Sequence, residues 1–368
     1  MKRVFTVLIS IALTFALSFS AAFASDDALL KSRKYMTTIA LDSPDAVIAY
    51  EATGMEADYK ADALLNNFRE TDYGTASYGD LAKSIIAISL LGENPKDFNN
   101  TNLVEILENR VQEDGTLTND VNGGCGATIW TLMALETVNS PKVKAVADKL
   151  STMAMDNGAY WYEYQGQNAD LDTTGWAMEA LSVAGRSTYD AAISKAYTCV
   201  QYKLNRTYGY YDNWGGNADT QSCVLEGLSV AGYTLDTNEY NYLLSYQNED
   251  GTFNALNYST KQLEPNAYAS VEGARALGVI NNGSFVLKAR RDYTKTTTPV
   301  VTEPETPTTP STPSTTTPVV KPETTTTEPK KETVKVVNTG DNTNVMAYVV
   351  AAIAAVGVIV LVIKSKKK

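Results

Sequence analysis

The chain contains no histidine, so acid–base or nucleophilic chemistry would have to run on carboxylates, hydroxyls, thiols or amines. Ser-His-Asp and Cys-His arrangements and imidazole zinc sites are thereby excluded. Cys125, Cys199 and Cys223 show no C-x-x-C spacing, so no metal site is expected. The carboxylates that stand out are Asp172 and Asp219, which recur 47 residues apart, each opening an apolar helix pattern. Asp172 lies in Asp170-Leu171-Asp172-Thr173, where an aspartate held protonated would be placed to donate a proton to an alkene or epoxide. Trp130, Trp161 and Trp176 would then face a carbocation with their π-electrons. Thr173 weakens that chemistry, because a second carboxylate beside Asp172 is what would hold the proton. An aspartate before a helix has a plainer use as an N-cap, typically worth about 1 kcal/mol. Asp172 and Asp219 are therefore expected to cap, with catalysis by Asp172 as the alternative.

These positions belong to a pattern that recurs five times: DLAKSIIAISLLGE from Asp80, GATIWTLMALETV from Gly126, DTTGWAMEALSVAG from Asp172, DTQSCVLEGLSVAG from Asp219 and NAYASVEGARALGV from Asn266. The leucines near their ends (Leu90, Leu135, Leu181, Leu228, Leu277) are 45, 46, 47 and 49 residues apart. A near-constant period marks a repeat architecture, in which each unit buries its apolar face on its neighbours. Glycine turns at Gly115, Gly158, Gly209 and Gly251 precede the closing helices, and a second helix precedes each turn. Ser140 before Pro141 reads as a helix start, and Asp236 with Glu239 reads as a capping box. Gly185 and Gly232 end closing helices. Almost nothing between residues 28 and 292 reads as a strand, so the fold class is all-α, built from antiparallel hairpins. About six hairpins of this length would close into a double-layered ring with the closing helices inside. The period alone leaves open solenoid and closed ring as alternatives.

The closing helices, following turns of the form Gln247, Gly251, Phe253, resemble those of the α/α toroid superfamily. That superfamily holds terpenoid cyclases, protein prenyltransferase β subunits and the vitamin-B12 carriers transcobalamin and intrinsic factor. The order YGDLAKSIIAISLLGENP, NLVEIL at Asn102, IWTLMAL, DLDTTGWAMEAL is most similar to bacterial surface relatives of the B12-carrier helical half, over roughly residues 28 to 285. The resemblance implies a six-hairpin barrel whose inner-helix starts ring one mouth of a cavity. It places Asp80, Thr128, Asp170, Asp172, Asn217, Asp219, Gln221, Asn266 and Tyr268 at that mouth. Tyr160, Trp161, Tyr210, Tyr211 and Trp214 from the turns would form its rim. It implies a non-catalytic binding module for a bulky small molecule such as a corrinoid, with no other cofactor. The carriers close on their ligand with a following β domain; here a Thr/Pro-rich stalk is expected directly after the helices, so a separate protein would supply a lid. A cyclase-type enzyme acting on an isoprenoid, and an adhesin-like module for a protein or glycan, are the alternatives. Prenyltransferases hold zinc with Asp, Cys and His, which the absent histidine rules out here.

The ends suggest export. Residues 1–24 combine Lys2 and Arg3, an apolar run and Ala22-Phe23-Ala24, the form of a secretory signal. The helical domain is expected over 25–293, followed by a disordered Thr/Pro-rich stalk over 294–335. Residues 336–344 contain Val336-Val337-Asn338-Thr339-Gly340, which keeps only Thr339 and Gly340 of a Leu-Pro-x-Thr-Gly sorting signal. Val345 to Ile363 are 19 uncharged residues, close to the roughly 20 a membrane helix needs. A basic tail, 364–368, would stay cytoplasmic. The domain is thus expected outside the cell, held by the membrane or by a sortase. Between Ser25 and Tyr293 stand 36 acidic and 20 basic residues, a net −16, which disfavours nucleic-acid partners. A Cys199–Cys223 bridge is the alternative, because both would lie near the Gly209 turn of one hairpin, but three buried thiols is the expected state.

Overall fold

The computed structural model describes residues 27–57, 62–120, 124–205, 207, 209–211, 216–257 and 259–297, with the backbone alone at 62–64. All of them belong to one compact unit ending at Thr302. The expected signal peptide, most of the stalk, the sorting-like segment with Thr339 and Gly340, the membrane span and Trp214 lie outside the described residues. No helix among the described residues is long and apolar enough to cross a membrane.

The described chain is mostly helical. Helix α1 covers 27–36. It is followed by α2 (Pro44–Ala52), α3 (Asp62–Glu70), α4 (Tyr78–Leu90), α5 (Leu103–Asn109), α6 (Gly126–Thr137) and α7 (Val143–Ser151). Then come α8 (Leu171–Gly185), α9 (Asp190–Tyr202), α10 (Ala218–Val230), α11 (Thr237–Leu244), α12 (Ala267–Asn282) and α13 (Phe285–Thr297). The helices that carry the repeated pattern pack in sequence, α4 on α6, α6 on α8, α8 on α10 and α10 on α12. Helix α2 then touches both α12 and α4, which closes a ring of six. Helices α5, α7, α9 and α11 lie against these as flanking elements.

The turn glycines show how the ring is joined. A Cβ at Gly115 would sit 2.1 Å from the Ala145 carbonyl oxygen of α7, and one at Gly158 would sit 2.4 Å from that of Lys195 in α9. Each turn therefore lies on the flanking helix of the next repeat. Gly251 repeats the contact 2.1 Å from the Lys31 carbonyl oxygen, in the first helix of the chain. Its φ of +88° is the left-handed region that glycine occupies without strain. Gln247 completes the join by donating to Ala28 O (2.9 Å) and Ser32 Oγ (3.0 Å).

Three features differ from the expectation. First, short antiparallel hairpins lead into three inner helices: β1 (Tyr160–Glu163) with β2 (Gln167–Asp170), β3 (Leu204–Asn205) with β4 (Gly209–Tyr210), and β5 (Phe253–Asn257) with β6 (Gln262–Asn266). Each is pinned to its helix, because the N–H of Tyr160, Tyr210 and Phe253 donates to Thr174 Oγ1, Gln221 Oε1 and Ser270 Oγ respectively. Second, the N-caps are Asp170, Asn217 and Asn266, not Asp172 and Asp219. The caps of α8 and α10 thus stand two residues before the expected ones, while Asn266 caps α12 where its pattern begins. Third, the chain does not leave the domain at Tyr293 but continues as α13 to Thr297, packed on α2, α4 and α6. Arg290 pairs with Glu136, Lys288 with Glu51 at 2.6 Å, and Thr296 Oγ1 donates to Gly92 O at 3.0 Å. Helix α13 thus covers the carboxy-terminal ends of the inner helices. The capping box at Asp236 forms as expected, and all three cysteines are buried free thiols.

Candidate functional site

The centre of the ring is occupied by side chains. Arg275 of α12 is fully buried and forks onto Glu226 of α10, at 2.8 and 3.1 Å, and onto Glu272, at 3.1 and 3.2 Å. Its guanidinium lies 5.9 Å from the Trp130 ring and 6.0 Å from that of Phe285. Lys83 sits 4.6 Å from the Trp130 ring and pairs with Asp45 at 2.8 Å. Cys223 Sγ contacts Glu272 Oε2 at 3.1 Å, and Ser284 Oγ donates to Glu179 at 3.2 Å. Glu179, Glu226, Glu272, Asp219 and Asp172 outnumber the central guanidinium, and for Glu179, Glu226 and Asp219 desolvation disfavours the charged form. Burial raises Glu226 to about 8 and Glu179 to about 7, against the opposing pull of Arg275. Arg275 itself is raised, because Glu226 and Glu272 outweigh the cost of its burial.

Most residues expected at the mouth hold the fold. Asp170 accepts from Thr173 N (2.8 Å) and Thr173 Oγ1 (2.5 Å), Asn217 from Thr220 N (2.7 Å), and Asn266 from Ala269 N (3.0 Å). Gln221 binds both backbone groups of Tyr210, at 3.0 and 2.8 Å, and Trp161 Nε1 donates to Met153 O at 2.9 Å. Tyr160, Tyr210, Gln221 and Thr128 are buried, so they form core, not an open rim. Asp80 is exposed beside the α4 cap, accepting from Ser77 Oγ at 2.8 Å. Tyr211 is exposed. Only Asp172, Asp219 and Tyr268 approach the central cluster. Asp172 acts electrostatically on Cys223, together with Glu272. Asp219 is raised to about 7 by burial first and by Glu272 second. Tyr268 is an exposed residue of α12 whose phenol is raised by the same two causes, so only part of the side chain reaches toward the cluster.

Open space lies to one side of this centre. A hollow of about 690 Å³ opens where the starts of α4, α6 and α8 meet. Its wall is set by Arg110, at the end of α5, which donates to the carbonyls of Ala76 (2.7 Å), Tyr73 (2.9 Å) and Gly74 (2.9 Å). Tyr78 ties the two loops together by donating to Arg110 O (3.0 Å) and Thr118 O (2.5 Å). Gly126 and Ala127, which open α6, line the hollow, and Cys125 provides no side-chain cap for that helix. Tyr162, Glu163, Asp120 and Trp176 complete the lining, with Trp176 edge-on to Trp130 at 5.7 Å. Trp176 Nε1 is buried without a hydrogen-bond partner. None of the residues expected at the mouth or rim lines this space. Trp176, considered as a carbocation partner, and Thr173 do. The unpaired role of Arg110 as a loop clamp had no sequence signal beyond a lone arginine before a glycine turn. Among the described residues no cluster of three metal-ligating side chains is found. No protein-family model and no curated protein sequence matches the chain.

Proposed function

We propose that this chain is an exported, surface-tethered binding module of the α/α toroid type, and that it takes a bulky small molecule at the hollow between α4, α6 and α8. The ring of six helices, each joined to its neighbour through a flanking helix and a glycine turn, supports the toroid reading. The observation that carries the binding reading is the contrast in occupancy. The ring's middle is filled by Arg275, Trp130 and Phe285, whereas about 690 Å³ stands open beside it. That volume falls within the roughly 300–1,000 Å³ of small-molecule sites. A corrinoid is the example the resemblance supplies, resting on the hollow with one face against the protein. Tethering by residues 345–363, with or without a sortase step at Thr339-Gly340, would present the hollow outward.

A cyclase-type enzyme is the second reading, and one observation favours it. Asp219, raised to about 7 by burial and by Glu272, is a carboxyl that would hold a proton near neutrality. Asp172 lacks the adjoining carboxylate, since Thr173 spends its hydroxyl on Asp170. The test has two arms on the full chain. Calorimetric titration with cyanocobalamin should give saturable binding, while an isoprenoid diphosphate should give no product. Product that disappears in Asp219→Asn would replace the binding reading by the enzyme. In cells, deletion of 345–368 should move the protein into the medium, and retention with the cells would remove the tether.

A further inference from the structure

We propose that the hollow's ligand is an uncharged glycan; this rests on the binding reading and names the chemistry of its site. The wall carries the aromatic side chains of Tyr78, Tyr162 and Trp176, the first with its hydroxyl spent on the loop carbonyls, and polar groups that include Asn109, Asn119, Asp120 and Glu163. A sugar ring presents a C–H face and a belt of hydroxyls. Aromatic faces receive the first, and amides and carboxylates receive the second. Trp176 brings the larger aromatic surface, and its edge-on contact with Trp130 at 5.7 Å holds the ring in place at the wall. The opening N–H groups of α6, at Gly126 and Ala127, face the same space without a side-chain cap and accept the same kind of partner.

Charge decides against the other ligand classes. The cation at the wall, Arg110, has its Nη groups on the carbonyls of Tyr73, Gly74 and Ala76, so it is not offered to an anion. Asp120 and Glu163 then leave the wall acidic, which repels uronates, sialylated chains and phosphates. An isoprenoid would strand those two carboxylates against hydrocarbon, a desolvation cost with no return. A neutral polyol satisfies both signs of the lining at once.

The full chain, solubilised in detergent, would be applied to a printed array of neutral and acidic glycans. The best soluble hit would then be titrated by calorimetry, with cyanocobalamin titrated in parallel. We expect binding to uncharged glycans. Trp176→Phe, which keeps a ring and shrinks the aromatic face, should weaken it up to about tenfold. Asn119→Gly should weaken it similarly; Asn119 has φ +57°, so glycine keeps the backbone and removes only the amide. Its thermal unfolding should match the parent, which separates lost contact from lost fold. Preference for acidic glycans, or glycan binding indifferent to both variants, overturns the inference. Cyanocobalamin binding weakened by Trp176→Phe, with no glycan bound, overturns the glycan and leaves the site standing. Binding of neither ligand overturns both.

Discussion

The ring's centre and the hollow beside it are built from the same kinds of residues and solve opposite problems. Both contain carboxylates, an arginine and tryptophan. At the centre, Arg275 spends its donors on Glu226 of the neighbouring inner helix and Glu272 of its own, and Trp130 and Phe285 lie beside it. At the hollow, Arg110 spends its donors on loop carbonyls, which leaves Asp120 and Glu163 facing open space. The first arrangement satisfies charge inside the protein; the second holds a wall in place and leaves its polar groups for something else. A cluster of titratable groups is thus evidence of a site only when space adjoins it.

The comparison breaks most readily at Arg275. Removing one partner of a buried ion pair strands the others, typically at about 3–5 kcal/mol. Arg275→Met, measured by thermal unfolding at pH 8.5 where the carboxylates are ionised, should be the most destabilising single change considered. Glycan binding by the fraction that remains folded should be little altered. A variant melting at the parent's temperature would mean that the centre contributes no structural pairing and is itself open to a ligand.

The centre should also show itself in pH dependence. Folded Glu179 and Asp219 titrate near about 7 and Glu226 near about 8, with burial as the leading cause in each. In the unfolded chain such groups titrate near about 4. Between those values the folded state binds more protons than the unfolded state, so this contribution to stability falls as pH rises. It is fully present below about pH 4 and is lost as pH climbs through 7 to 8. The groups held low, Asp148 by Lys144 and Asp250 by Thr252, act in the acid range and leave this window unaffected. The melting temperature should therefore decline from pH 5.5 to 8.5, and Glu179→Gln should flatten the slope. A flat or rising parent profile would contradict the buried-carboxylate account.

What could be seen in the sequence follows the same division. The leucines at 45- to 49-residue spacing mark the inner helices because burial against neighbours imposes a period. Ring closure left no such mark, since it depends on Gly251 meeting Lys31, more than two hundred residues earlier. Helix α13 begins with an apolar Phe285-Val286-Leu287 and turns polar, so it resembles a tail until the inner-helix ends it covers are known. The hollow was the least legible part. Its wall comes from loops at 74–79 and 109–120, which carry no period, and is assembled by Arg110 reaching back 34 to 37 residues. Residues chosen for their place in the repeat were drawn instead to hairpin pins and caps, because repetition reports what the fold needs in every unit.

The smallest expected effects lie at the start of α8, which stands between the two regions. Asp170 takes the Thr173 N–H and hydroxyl, so Asp170→Ala should cost about 0.5–2 kcal/mol, the usual range for a lost cap. Two residues on, Asp172 belongs to the acidic surroundings of Cys223 and does not cap the helix. Asp172→Asn keeps the shape and removes one negative charge from a centre that already holds too many. It should cost less than Asp170→Ala at pH 6, because an amide of the same shape keeps one of the carboxylate's two acceptor oxygens. At pH 8.5 it should be neutral to slightly stabilising, because the relieved repulsion matters only when the neighbouring carboxylates are charged. Thermal unfolding of both variants at the two pH values reads this directly. The reverse order, with Asp172→Asn costing more than Asp170→Ala, would make Asp172 the structural residue and return the pattern of caps to the one the repeat alone suggests. A loss in Asp172→Asn that grows with pH would go further, since it would mean that the charge on Asp172 is held by a partner the centre needs, and the excess of carboxylates around Arg275 would no longer explain the pH profile.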